Sequence, residues 1–177
     1  PGAKAEVDFS NEHLIFDGIP ITGKIDHLNI DDQNKLIDIY DFKTSTISDR
    51  DKWHSKESLY IYHFQLLFYR LLLKQSKFYH DYTVRSMNLL FTKPNRRETL
   101  DHPDGKLHRL TLTEEDIAKD GLDFEDLIKA IYHQITTLDF LRHDSPLNLA
   151  NTTDATLADI KNVCHQLIDL YKNSWLY

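Results

Sequence analysis

The chain has 177 residues, 41% hydrophobic and 28% charged, enough for one domain with its own core and too few for two comfortable ones. A net charge of −7 argues against a broad, non-specific polyanion-binding surface, although cations can offset clustered carboxylates locally. The single cysteine, Cys164, excludes an intrachain disulfide and any zinc or iron–sulfur site built on several thiolates, and no apolar run approaches the ~20 residues of a membrane helix.

The first residues, Pro1 to Glu6, lack the basic-then-apolar layout of a signal peptide and run almost directly into a strand pattern. The expectation is a cut end of a longer chain, in a reducing, cytoplasmic setting. Lys4 to Ser10 and His13 to Phe16 read as short strands around Asn11-Glu12, and Asp17-Gly18 is a turn signal. Ile19 to Ile30 is rich in Ile, Leu and Thr and reads as one strand. Asp31 to Lys35 is a polar turn, and Leu36 to Lys43 is a further strand.

A polar loop follows from Thr44 to Lys56. Glu57 to Phe78 carries Leu, Ile, Phe and Tyr with no Gly or Pro, which predicts a long, largely buried helix. Tyr82 to Thr92 is a strand, Lys93 to Lys106 a loop, and Leu107 to Leu112 an edge strand. Thr113 is placed as a helix cap with Asp116 near the third position, and Asp123 to Leu141 and Asp154 to Trp175 are the last helices. There is no internal repeat. Strands, a long helix, two strands and further helices give a mixed α/β layout, a sheet flanked by helices.

The turn between Ile19 and Lys43 centres on Gln33 and Asn34. Regular pairing about that centre sets Asp26 opposite Asp41, with Cβ atoms about 4.5–5.5 Å apart. A slip of one residue would move one carboxylate to the other face, so everything here depends on the register. Two like charges that close call for a cation between them. Lys43 shares a face with Asp41 by strand alternation. A divalent metal with oxygen ligands and a neighbouring ammonium is the chemistry this set suits. Gln65 and Tyr69, four apart on the long helix, share one face. Asp-x-Lys also occurs at Asp104–Lys106 and Asp159–Lys161, but only Asp41–Lys43 ends an apolar strand that faces a second strand-borne Asp.

Gly23-x-x-Asp26, Asp41-x-Lys43-Thr44 and Gln65-x-x-x-Tyr69 together resemble the RecB-like branch of the PD-(D/E)XK nuclease superfamily, over about residues 6 to 91. The resemblance implies a restriction-endonuclease-like fold and a phosphodiesterase acting on DNA with Mg²⁺ or Mn²⁺. It implies Asp26, Asp41 and the Phe42 carbonyl as metal ligands, and Lys43 as the residue that orients the attacking water. It implies that Gln65 and Tyr69 line the active-site groove. It further implies that residues 1–177 are one nuclease domain cut from a helicase–nuclease of DNA repair and recombination, with the helicase in the same polypeptide. Two family features are not matched in this sequence. The helix-borne histidine found upstream of Gly-x-x-Asp in many relatives is not present, and Cys164 alone cannot form their iron–sulfur cluster.

Other residues are weighed beside these. Lys24 shares the face of Asp26 and is a candidate phosphate contact or a plain exposed lysine. Thr44 and Ser45 are candidates to hydrogen-bond phosphate or to cap the loop. Lys93, Arg96 and Arg97 form the best basic cluster for DNA-backbone contact. Glu6 is a solvated strand end or an acidic neighbour of the site, and His27 points to the opposite face from Asp26. The aromatic residues of the long helix are expected to be mostly core. The reading from another class is a nuclease-like module that binds DNA without cutting it. A small-molecule metallohydrolase fits less well, since no His-x-x-x-His spacing occurs.

Overall fold

The computed structural model describes residues 2–45, 53, 57–93, 108–119, 121–137 and 156–173. The elements are β1 (Gly2–Asp8), β2 (Leu14–Phe16), β3 (Ile19–Ile21), β4 (Lys24–Asp31), β5 (Leu36–Lys43), α1 (Glu57–Gln75), β6 (Thr83–Phe91), β7 (His108–Leu112), α2 (Glu114–Ala118), α3 (Phe124–Thr136) and α4 (Leu157–Asn173). Five strands form a mixed sheet in the order β1-β4-β5-β6-β7, and β2 and β3 make a small ribbon beside it. All neighbours are antiparallel except β5 and β6. Parallel neighbours need a long crossover, and α1 lies within it. No described helix is long and apolar enough to cross a membrane.

Local chemistry sets the turns. Asp17 and Gly18 both take positive φ, 48° and 78°, the paired left-handed geometry that closes a two-residue hairpin between β2 and β3. At the β4–β5 turn, Asp31 accepts from the Asn34 backbone N–H and side-chain amide, and Lys35 turns the chain at φ 54°.

The predicted single strand from Ile19 to Ile30 is in fact two, broken at Thr22–Gly23. The carbonyl of Gly23 accepts the Phe9 N–H at 3.0 Å, which draws the chain away from the ribbon and into the main sheet. A Cβ on Gly23 would lie 2.8 Å from the Leu72 Cδ1 atom of α1, so the helix rests directly on this backbone. Pro20 and Gly23 interrupt the apolar run locally, and the helix contact fixes the break at Gly23. The long helix ends at Gln75, short of the predicted Phe78. Glu12 accepts there from the Ser76 hydroxyl and the Lys77 N–H, taking up donors beyond the helix end.

The main core lies between one face of the sheet and α1. Leu66, Leu67 and Leu71 to Leu73 join Ile25, Leu28, Ile37, Ile39 and Leu89 in one buried cluster. Removing such surface from water is worth roughly 1.5–3 kcal/mol per large side chain. A satellite cluster of Leu127, Ala130, Val163, Cys164, Leu167 and Ile168 joins α3 to α4. The Phe64 ring stacks on Phe124 and links that pair to α1, so the long helix is covered on two sides. The Thr113–Asp116 capping box is present, and Asp123 caps α3. Trp175 and Tyr177 lie outside the described residues.

Candidate active site

The β4–β5 ladder runs in the expected register, from Asp31 opposite Leu36 to His27 opposite Tyr40. One step further the ladder hydrogen bonds give way to side-chain chemistry. Asp26 is next in line opposite Asp41, and its Oδ2 accepts the Phe42 N–H at 2.9 Å. The carboxylate is therefore fixed against the neighbouring strand, with lone pairs left over.

Asp41 is 2% exposed. Its Oδ1 accepts from the Tyr69 hydroxyl and from Gln65 Nε2, each at 3.1 Å. Its Oδ2 lies 2.6 Å from the Lys43 ammonium. Among the described residues that atom has no hydrogen bond of ordinary geometry, so the lysine contact is an ion pair rather than a directed bond. Lys43 also donates to Gln65 Oε1 at 2.7 Å, and Gln65 Nε2 donates to Tyr69 Oη at 2.7 Å. The Gln65 amide is thereby oriented by charge: its oxygen meets the ammonium and its nitrogen meets the carboxylate. The flipped amide would set like against like at both ends.

Burial pushes the Asp41 carboxyl above the usual carboxylate range. Lys43 opposes that shift, while the Asp26 charge adds to it. Burial, and then the Asp41 charge, push the Tyr69 hydroxyl far up, so it remains a neutral donor. The donors gathered here are the carboxylate oxygens of Asp26 and Asp41. Hard, oxygen-only ligands suit magnesium or manganese, which keep several waters. A buried carboxylate oxygen held only by an ion pair is the kind of atom a cation would satisfy, so the residues fit such an ion. The described residues contain no group of three or more His, Cys, Asp or Glu side chains that could hold a metal. Solvent and substrate oxygens would have to complete the coordination.

The structure brings Asp26, Asp41, Lys43, Gln65 and Tyr69 together. It places the others differently. Lys24 is exposed and pairs with Asp8 at 3.6 Å. Thr44 and Ser45 are exposed in the bend just after Lys43. Arg96 and Arg97 lie outside the described residues. Glu6 falls level with Asp26 in the β1–β4 register, between Ala5 opposite His27 and Val7 opposite Ile25. Its backbone is left-handed there, φ 51°, an uncommon state for this residue type. His27 turns to the other face and bonds Asn29 at 2.9 Å.

One residue of this neighbourhood is missed by the sequence reading, which assigns the aromatics of the long helix mostly to the core. The Tyr62 ring faces Lys43 Nζ at 4.0 Å. The signal was available: Tyr62, Gln65 and Tyr69 are spaced three and four apart, one stripe along α1.

No curated protein and no solved structure matches this chain. The family model of the PD-(D/E)XK nuclease superfamily matches residues 3–146, a span that includes every residue of the constellation above. Members of that superfamily are typically metal-dependent nucleases. A mixed five-stranded sheet flanked by helices is the restriction-endonuclease-like architecture, and this chain belongs to the PD-(D/E)XK nuclease superfamily.

Proposed function

We propose that this chain is a nuclease domain of the RecB-like branch that hydrolyses DNA phosphodiester bonds with Mg²⁺ or Mn²⁺. We also propose that it belongs to a larger cytoplasmic helicase–nuclease of repair or recombination. The observation that carries the catalytic reading is Asp41. It is a buried carboxylate at the end of an antiparallel ladder, gripped at once by Lys43, Gln65 and Tyr69. A structural ion pair on a strand edge would not need three partners from two elements. The branch assignment rests on Gly23-x-x-Asp26 and Gln65-x-x-x-Tyr69 flanking Asp41-x-Lys43.

Asp26, Asp41 and the Phe42 carbonyl would hold the ion. When bound, a divalent cation supplies Lewis-acid stabilisation and a water acidic enough to deprotonate near neutral pH. Lys43 brings its ammonium beside Asp41, where it orients the attacking water and offsets negative charge developing on the phosphoryl oxygens. Gln65 fixes the lysine from the other side. Tyr69 holds Asp41 by a hydrogen bond that a high hydroxyl pKa keeps in place. Thr44 and Ser45, exposed beside Lys43, are positioned to meet phosphate, with Lys24, Arg96 and Arg97 as further backbone contacts.

The test is a Mg²⁺-dependent cleavage assay on linear single- and double-stranded DNA, with Lys43→Ala as control. Cleavage that needs the metal and falls by about 10²–10³ in the variant is expected. DNA binding with no cleavage at any metal concentration would replace this reading with that of a non-cutting module.

A further inference from the structure

We infer that Tyr62 is a positioning residue for Lys43: the face of its ring holds the lysine ammonium on Asp41. The inference rests on the assignment of Lys43 to the attacking water. It adds a residue that the Asp26, Asp41, Lys43, Gln65 and Tyr69 set does not contain.

The Lys43 side chain is only 14% exposed, although lysine is flexible and strongly hydrated. Something must replace the water it has lost. An ammonium has three N–H donors. Gln65 Oε1 accepts one of them at 2.7 Å, and Asp41 Oδ2, 2.6 Å away, balances the charge. The Tyr62 ring, with its centroid 4.0 Å from Nζ, is the third partner, well inside the range in which a ring face attracts a cation. Tyr62 is half-buried at the margin of the main core. Among the described residues its ring stacks on no other ring, so its face is given to the cation. Tyr62 and Gln65 stand one turn apart on a single face of α1, and together they close on the lysine from the helix side. A ring does not compete for the ammonium protons as a second carboxylate would. It confines the cation without neutralising it, and it leaves the Asp41 charge to the metal. The hydroxyl has no part in this, so the ring is what matters.

Two measurements test the inference. The first uses the metal-free protein and no substrate. A lysine over a ring face carries its ε-methylene protons upfield of ordinary lysines, and Lys43→Arg identifies the signal by removing it. The upfield signal is expected in wild type and in Tyr62→Phe, and it should return to the ordinary lysine position in Tyr62→Leu. The second is steady-state cleavage. Tyr62→Leu should lower kcat about threefold to thirtyfold with KM nearly unchanged, and Tyr62→Phe should restore kcat to within about twofold. If Tyr62→Leu does not fold, ring-fluorinated phenylalanines at position 62 keep the shape and weaken the attraction, and kcat should fall with each fluorine. An ordinary Lys43 signal in wild type overturns the inference, as does unchanged kcat in Tyr62→Leu or across the fluorinated series. A wild-type protein that shows the ring-shifted lysine but cuts no DNA would overturn the proposed function while supporting Tyr62 as the holder of the ammonium.

Discussion

Asp38 and Asp41 lie three residues apart on β5, both buried, and their carboxyls are driven in opposite directions. Asp38 points to the face away from α1, where Arg85 binds both of its oxygens and Ser86 donates at 2.7 Å. The Arg85 guanidinium holds Asp38 below the usual carboxylate range, and the Ser86 hydrogen bond pulls the same way. A carboxylate with a depressed folded value adds stability that is present above its unfolded value, near 3.8, and is lost as pH falls through the folded value. Asp38→Asn should therefore cost about 1–2 kcal/mol at pH 7, tempered by the exposure of Arg85. The gap from wild type should hold down to about pH 5 and narrow below 3.8 in urea titrations. A gap that grows on acidification would show that Asp38 is not ionised in the fold. Asp41 is the opposite case: burial raises it, and its ionised form depends on Lys43 and, in the proposed reading, on a cation. Lys43→Ala should lower the melting temperature of the metal-free protein. It should leave Mn²⁺ relaxation enhancement intact, and Asp41→Ala should abolish that enhancement. Mn²⁺ should restore more melting temperature in Lys43→Ala than in wild type, because the ion takes over the charge the lysine had balanced. Equal Mn²⁺ shifts in the two proteins would count against a shared role at Asp41.

At the scale of elements, the site is a hairpin end closed by a helix. Gln65 bonds Asp41, Lys43 and Tyr69, whereas the adjacent Leu66 is fully buried in the main core. Gln65→Ala should reduce cleavage with little change in melting temperature. Leu66→Ala should cost roughly 2–5 kcal/mol with the site chemistry retained in whatever fraction stays folded. An early-melting Gln65→Ala protein that cuts normally would reverse both assignments. These placements explain what could be read in advance. The hairpin register was legible because a polar turn flanked by apolar strands has one natural centre, and register decides which side chains meet. The Gln65–Tyr69 pair was legible because helical spacing alone puts them together. The break at Gly23 was signalled by Pro20 and by Gly23 itself, which interrupt the run of Ile, Leu and Thr, a signal the single-strand reading misses. What stayed hidden is its packing: Leu72, some fifty residues on, rests on that backbone. The bond from the Phe42 N–H to Asp26 was equally hidden, because it replaces a ladder bond with a side chain and leaves no mark on composition.

For the whole molecule, the two clusters differ in how they are fastened. The sheet and α1 share a single deep core that includes residues of the strands carrying Asp26 and Asp41. The α3–α4 pair has its own small cluster and meets the rest through the Phe64–Phe124 stack, through Ile128, which packs on the main cluster, and through Lys161 over the Tyr60 ring. Around that stack stand exposed or half-exposed pairs: Arg70 with Glu114 of α2, Lys74 with Glu125 and Lys129 with Asp17. Exposed ion pairs are worth little each, typically under about 1 kcal/mol. The stack and Ile128 are thus the apolar fastening between the layers. Local opening should follow that division, with α3 and α4 leaving the sheet in a step of lower free energy than global unfolding. Native-state hydrogen exchange should find the amides of Phe124–Thr136 and Leu157–Asn173 less protected than those of β4, β5 and β6. Phe124→Ala should lower protection in both helices together while leaving the β4–β5 amides near their wild-type rates, and Mn²⁺ binding at Asp26 and Asp41 should persist. Truncating one ring weakens the link between the clusters without opening either of them. Uniform loss of protection across the sheet and helices in Phe124→Ala would instead mean that the two clusters fold as one unit, and that the stack is a strut of the main core rather than a joint beside it.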